Sequence, residues 1–217
     1  NDGKRVQVDP EHGEIALKVK GENEYDTPRV DGQAWPHLLI EQNVPVSAYL
    51  CDMEELILSI DFELTESVNH MSKTEYNPNL HSAQFQWIFT VQNENPSTMG
   101  QKHDYFWFNV GYYDPRYEYP PQMGHFDGGK EDATTKYIYA VDSREYLTEP
   151  VTVGKRMKVE FDVLPYIRGA FEEAQAKGAL AGTTYEELTI TTTNIGWEVT
   201  GTYTVEMMIY DLSMNYK

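Results

Sequence analysis

The sequence predicts an all-β protein: a two-sheet antiparallel β-sandwich of jelly-roll type with one short helix. Three observations carry this. Apolar and polar residues alternate with a period of two in roughly ten separate runs of the 217-residue chain, which is the pattern of strands buried on one face. Turn residues separate those runs at irregular intervals, and only one stretch changes to helical spacing. No internal repeat, heptad or Gly/Ser-rich linker divides the chain, so a single domain over residues 1–217 is expected, with N-terminal strands and a loop in 1–34 and the main sandwich in 35–217.

Taken in order, Arg5–Val8 and Glu14–Lys20 read as short strands joined by the turn Asp9-Pro10-Glu11-His12-Gly13, and the polar stretch 22–33 as a loop. Trp35–Gln42 resumes as a strand whose Pro36 need not donate to a ladder. Glu54–Thr65 is half-buried: Leu56, Leu58, Ile60, Phe62 and Leu64 point one way, with Ser59, Asp61, Glu63 and Thr65 opposite. Ala83–Val91 repeats this with Phe85, Trp87, Phe89 and Val91 inward and Gln84, Gln86 and Thr90 outward. Asp104–Tyr113 carries bulky residues on both faces, and 114–130 reads as a long loop rich in proline, glycine and aromatic rings. Short strands at 136–141 and 156–163 follow, the latter with Met157, Val159, Phe161 and Val163 inward. Pro165 opens a helix near 165–178 whose apolar stripe is Ile167, Ala170, Phe171 and Ala174, with Gly178 as its stop. Two last strands are expected, one with Leu188, Ile190 and Thr192 on a face, the other over 202–211, with Gly196 and Gly201 as punctuation between them.

Composition narrows the function classes. With 35 acidic against 17 basic residues the net charge is -18, which repels phosphate backbones and anionic lipid, so nucleic acid is not an expected partner. Cys51 stands alone, so an internal disulfide and a zinc cluster are excluded, and it is expected to pack as a small apolar residue. No run is long and apolar enough to span a membrane. The chain begins at Asn1 without a leader, which fits a secreted or cell-surface protein whose export signal has been removed.

Four sets of residues could carry chemistry. Trp107, Tyr113, Tyr117 and Tyr119 with Arg116 could cover the C–H face of a sugar and bond its hydroxyls, Trp107 and Tyr113 sharing a strand face with Asn109 between them. Glu160 with Asp162, and Asp61 with Glu63, have the i, i+2 spacing of a catalytic carboxylate pair, which an ordinary solvated strand face also produces. Asp127, Glu131 and Asp132 in a glycine-containing turn offer hard oxygen ligands for a structural calcium ion, without matching an EF-hand. His103 and His125 would serve a metal or lyase-type site if the fold brought them together.

The strand pattern, the segment FWFNVGYYDPRY and the closing GWEVTGTYTVEMMIYDLSM resemble the jelly-roll, concanavalin A-like β-sandwiches of carbohydrate-binding modules and polysaccharide-degrading enzymes. That resemblance implies a sugar ligand on a concave sheet or its end loops, often with structural calcium and with no cofactor required. The leading expectation is a non-catalytic module that binds polysaccharide or oligosaccharide through its aromatics. Its alternatives are a glycoside hydrolase or polysaccharide lyase on the same scaffold, and a structural or protein-interaction domain.

Overall fold

The computed structural model describes residues 2–44, 48–95, 102–128 and 133–217. Eleven strands and one helix follow one another as β1 (Lys4–Asp9), β2 (Glu14–Lys20), β3 (His37–Asn43), β4 (Leu56–Asn69), β5 (Ala83–Asn93), β6 (Tyr105–Tyr113), β7 (Met123–Phe126), β8 (Tyr137–Ala140), β9 (Arg156–Asp162), α1 (Leu164–Ala176), β10 (Leu188–Val199) and β11 (Tyr203–Tyr216). They form a five-stranded sheet in the order β1-β2-β11-β4-β9 and a six-stranded sheet in the order β3-β10-β5-β6-β8-β7. This is the expected β-sandwich. Every neighbouring pair is antiparallel except β6 with β8, which runs parallel.

The alternating runs set the core. Leu56, Leu58, Ile60, Phe62 and Leu64 of β4 face Phe85, Trp87, Phe89 and Val91 of β5 across the sandwich, and all of them are buried. Met157, Val159 and Phe161 of β9 and Tyr203, Val205, Met207 and Ile209 of β11 complete the five-stranded side. Rings dominate the contact layer: Phe85 meets Trp197 edge-on with centroids 5.1 Å apart, and Phe62 meets Tyr112 at 5.2 Å. Such tilted pairs contribute about 0.5–1.5 kcal/mol each beyond the area they bury. Trp197 also donates its indole N–H to the Leu17 carbonyl at 2.9 Å, tying β10 to β2 of the opposite sheet.

The helix lies where its stripe requires. Ile167, Ala170, Phe171 and Ala174 are its buried residues, Pro165 sits in its first turn, and Gly178 follows with φ +92. Starting directly after the edge strand β9, it packs beneath β6 and β8 and extends the cover that the shorter five-stranded sheet leaves off. Glu173 there accepts the Tyr137 hydroxyl at 2.5 Å.

Three sequence expectations need correction. Met123–Phe126, within the expected long loop, forms the edge strand β7, paired to β8. Its Gly124 is needed because a Cβ would collide with the Glu173 carboxylate and the Tyr137 hydroxyl beneath it. Gly196 is not punctuation but lies inside β10, at φ +149, where a Cβ would overlap the Leu38 carbonyl of β3. Cys51 is exposed in a short 3-10 turn rather than packed as an apolar residue.

Candidate functional site

The outer face of the six-stranded sheet forms a cleft of about 200 Å³. Its floor is the polar side of the strands: Gln84, Gln86 and Ile88 from β5, Trp107 and Asn109 from β6, and Asn194 and Glu198 from β10. Met123 and His125 of β7, Ile138 and Ala140 of β8, and Asp127 just beyond β7 line one side. Trp35 and Leu39 line the other, the Trp35 ring lying 5.5 Å from the Arg29 guanidinium. The loop carrying Trp35 is anchored by Tyr25, whose hydroxyl reaches the Ala34 and Val199 carbonyls at 3.2 and 3.3 Å.

Glu198 is the carboxylate on this floor, and a bulge puts it there. Along β10 it shares parity with Leu188 and Ile190, which are buried in the core, so an unbroken strand would aim it inward. The register against β5 shifts between Ile190 and Thr192, so beyond that point Thr193, Ile195, Trp197 and Val199 face the core. Thr192, Asn194, Gly196 and Glu198 are thereby turned outward, the re-aiming that a bulge performs. The same shift corrects the expected grouping of Thr192 with Leu188 and Ile190. Thr193 takes its place inward, accepting the Trp87 indole N–H.

Glu198 sits in a short amide relay. Gln86 Nε2 donates to its carboxylate at 2.5 Å, and Asn109 Nδ2 donates to Gln86 Oε1 at 3.1 Å. Gln86 and Asn109 are 7% and 8% exposed, and Asn109 Oδ1 has no hydrogen-bond partner. At the end of the same floor Gln84 donates to Asp114, a buried carboxylate that also holds Ser82 and Arg116.

The sequence-predicted aromatics scatter. Trp107 lines the cleft, its ring 5.6 Å from that of Tyr105. Tyr113 does not join it in a platform, because a bulge in β6 opposite Phe85 and Gln86 turns it toward the sandwich. There it packs edge-on against Trp197, and its hydroxyl pairs with Ser67 of β4 at 2.8 Å. Burial pushes that hydroxyl's pKa up. Arg116 is held by Asp114 and the Pro78 carbonyl, so its charge serves the loop. Tyr117 is exposed beside Arg116 and borders a small hollow continuous with Gln84 and Gln86, whereas Tyr119 packs on the core under Arg144.

The carboxylate pairs lie on the wrong sheet for this cleft. Glu160 and Asp162 are on β9, the edge of the five-stranded sheet; Glu160 is exposed, and Asp162 accepts the Leu56 and Leu164 backbone N–H groups at 3.0 and 3.1 Å. Asp61 is engaged by Arg156 at 2.7 Å and Glu63 by the Tyr210 hydroxyl at 3.0 Å. His103 pairs with Glu94 at 2.8 Å at the β5–β6 turn, while His125 lies on β7 in the cleft, and no bond joins the two. Asp127 accepts from the Thr134 N–H and hydroxyl at 2.7 and 2.9 Å. Glu131 and Asp132 lie outside the described residues, and among those described no group of three His, Cys, Asp or Glu is placed to hold a metal ion. No helix among the described residues is long and apolar enough to cross a membrane.

No protein-family model matches the chain, and neither does any curated protein. Solved structures do match in fold. A family 12 xyloglucanase from Bacillus licheniformis in complex with ligand is 7% identical, with a TM-score of 0.58 over 98% of this chain and 84% of that one. A meso-active, thermo-stable cellulase derived from Cel12A of Rhodothermus marinus is 12% identical, with a TM-score of 0.54 over 99% of this chain and 86% of that one. The xyloglucanase domain of NopAA, a type three effector from Sinorhizobium fredii, in complex with cellobiose, is 8% identical, with a TM-score of 0.51 over 99% and 87%. The fold is therefore the concanavalin-like jelly roll that the strand pattern suggested, in the version seen in family 12 glycoside hydrolases. These neighbours are hydrolases, not binding modules, which overturns the leading expectation of a non-catalytic sugar-binding sandwich.

Proposed function

We propose that the chain is a glycoside hydrolase acting on a polysaccharide laid along the outer face of the six-stranded sheet, with Glu198 as its general acid. The observation that carries this is Glu198 itself: a carboxylate turned out of a core strand by a bulge, on a cleft floor that also holds Trp107 and beside a wall that holds Trp35. A sugar polymer fits such a groove because rings cover its C–H faces while amides bond its hydroxyls, here Gln84, Gln86 and Asn194. The Gln86 amide orients the Glu198 carboxyl on the floor, from which it would deliver a proton to the glycosidic oxygen. Proton delivery of this kind contributes about 10²–10⁴-fold in rate. A polymer substrate suits an enzyme that works outside the cell.

The test is release of reducing ends. The purified chain is incubated with a panel of plant, algal and animal polysaccharides, and both retained protein and new reducing ends are measured. Reducing ends from at least one polymer, lost in Glu198→Gln, are the expected result. Retention without any release across the panel contradicts the assignment, and unsaturated ends in place of reducing ends would make the enzyme a lyase.

A further inference from the structure

The edge strands of the sandwich are not equally protected. β9 buries Met157, Val159 and Phe161, β3 packs Leu38 and Ile40 on the core, and the short β7 lies over Glu173 of the helix. β1 differs: Arg5, Val6, Gln7 and Val8 are all exposed, Val6 by 48% and Val8 by 58%. Its register against β2 is unbroken from Lys4 to Asp9, and it holds no proline, glycine or bulge of the kind that blunts an edge. β3 of the other sheet lies against β2, and β1 projects beyond it.

The backbone of β1 points in a definite way. The Lys20 N–H donates to the Gly3 carbonyl at 2.7 Å. Bonded and unbonded pairs alternate in an antiparallel ladder, so Arg5 with Lys18, Gln7 with Ala16 and Asp9 with Glu14 are the next bonded pairs. Lys4, Val6 and Val8 therefore turn their N–H and C=O groups outward, where no strand among the described residues meets them.

That outward edge is complementary to itself. With two copies of β1 antiparallel and Gln7 on a two-fold axis, Arg5 stands opposite Asp9 of the second copy, and Val6 opposite its Val8. Val6 and the facing Val8 exchange both backbone bonds, their side chains touch, and the two Gln7 carboxamides each donate to the other. A slide of one residue would set outward groups against groups already bonded to β2. A slide of two would put Gln7 opposite Arg5 or Asp9 and lose the charge match. Arg5 meets Glu206 through Nη2 at 2.6 Å, yet its side chain is 56% exposed and a guanidinium has further donors. Asp9 caps the β1–β2 turn by accepting the Glu11 and His12 N–H groups at 3.0 and 3.2 Å and meets the His12 ring, and its side chain is 45% exposed. Charge also favours this edge: copies of net charge -18 repel one another, but Lys4, Arg5, Lys18 and Lys20 gather beside β1.

We propose that the chain pairs with a second copy of itself through β1, joining the two five-stranded sheets into one continuous sheet across a two-fold axis at Gln7. The axis stands perpendicular to the sheets, so both clefts open on the same side. A dimer thus presents two grooves to one polymer, a consequence that rests on the hydrolase reading while the pairing itself does not.

The experiment measures the mass of the purified chain by sedimentation equilibrium from about 1 μM to about 1 mM, because a contact one strand wide is small beside a standard interface and dissociates on dilution. Twice the mass of one chain at the top of that range is the expected result. Val6→Pro should abolish the pair with little change in melting temperature, since the N–H it removes points to the open edge. Arg5→Glu and Asp9→Lys alone should each raise the dimer Kd at least about tenfold by setting like charges opposite one another. An equimolar mixture of those two variants should restore pairing, because each then meets the opposite sign in the other. A single-chain mass throughout overturns the proposal and leaves the edge to a different partner. A doubled mass that survives Val6→Pro, or a mixture that pairs no better than its parts, overturns it by placing the contact elsewhere. Should Val6→Pro fail to fold, the mixture decides alone. None of these readings involves a polysaccharide, so their failure is distinct from failure of the hydrolase reading.

Discussion

The two sheets carry carboxylates on their outer faces in very different company. On the five-stranded sheet four of them are matched to a cation or a hydroxyl: Asp61 with Arg156, Glu66 with Lys18, Glu206 with Arg5, and Glu63 with Tyr210. On the six-stranded sheet Glu198 is met by a carboxamide, beside an orphan acceptor and between tryptophans. The first arrangement neutralises charge on a solvated surface, and the second orients a carboxylate on the floor of a cleft. Spacing along a strand is the same in both cases, so it is the neighbours across the sheet that separate a surface from a site.

The largest effect that sharpens this comparison is on catalysis. Glu198→Gln should lower the release of reducing ends by about 10²–10⁴-fold with little change in melting temperature. A comparable loss of stability would instead make Glu198 a structural residue. Next comes Trp197, which neighbours Glu198 in sequence but faces the core with no exposed surface. Trp197→Ala should cost about 3–5 kcal/mol in denaturant unfolding, and retention of full stability would show that the bulge does not put this ring at the centre of the core.

Gly196→Ala is smaller. The new Cβ would press on the Leu38 carbonyl at a backbone angle that side chains avoid, so about 1–3 kcal/mol of stability should go. Activity should fall with it, since β3 and Glu198 flank the same point. An unchanged melting curve would argue against that close approach.

The smallest effect belongs to the five-stranded sheet. The hydrogen bond from Arg156 holds the Asp61 carboxyl below its ordinary pKa, partly opposed by burial and helped by the charges of Arg156 and Lys158. A lowered folded-state pKa means stability that is present above the unfolded value of about 3.9 and lost as pH falls through the folded one. Asp61→Asn should therefore cost no more than about 1 kcal/mol at neutral pH. That difference should shrink as the solution is acidified and as salt is added, and melting temperatures across pH and ionic strength would show it. A loss that persists in acid would mean the side chain acts through packing instead.

What could be read in the sequence follows from where one periodicity holds. β4, β5, β9 and the helix stripe keep their pattern, and every inward residue expected of Phe85, Trp87, Phe89 and Val91 is buried. The site failed to show because it sits where the period breaks. The bulge at Ile190–Thr192 inverts which residues of β10 face out, and the one opposite Phe85 and Gln86 does the same to Tyr113. A bulge adds a residue without a distinctive sequence mark, so alternation carried past it assigns each later side chain to the wrong face. The signal available for Glu198 was its place between Trp197 and Val199, an acid alternating with core residues. β7 was hidden differently, because Pro120, Pro121 and Gly124 read as loop while Gly124 is glycine to admit Glu173 of the helix.

The most direct measurement sets the two faces against each other. Glu198→Gln and the double variant Glu160→Gln with Asp162→Asn would be assayed side by side for reducing ends released from the polymer that the unaltered chain cleaves. The account predicts that Glu198→Gln loses at least about 100-fold in rate, while the β9 double variant stays within about twofold. The reverse pattern, activity surviving without Glu198 and lost without Glu160 and Asp162, would contradict it and move the chemistry to the other sheet.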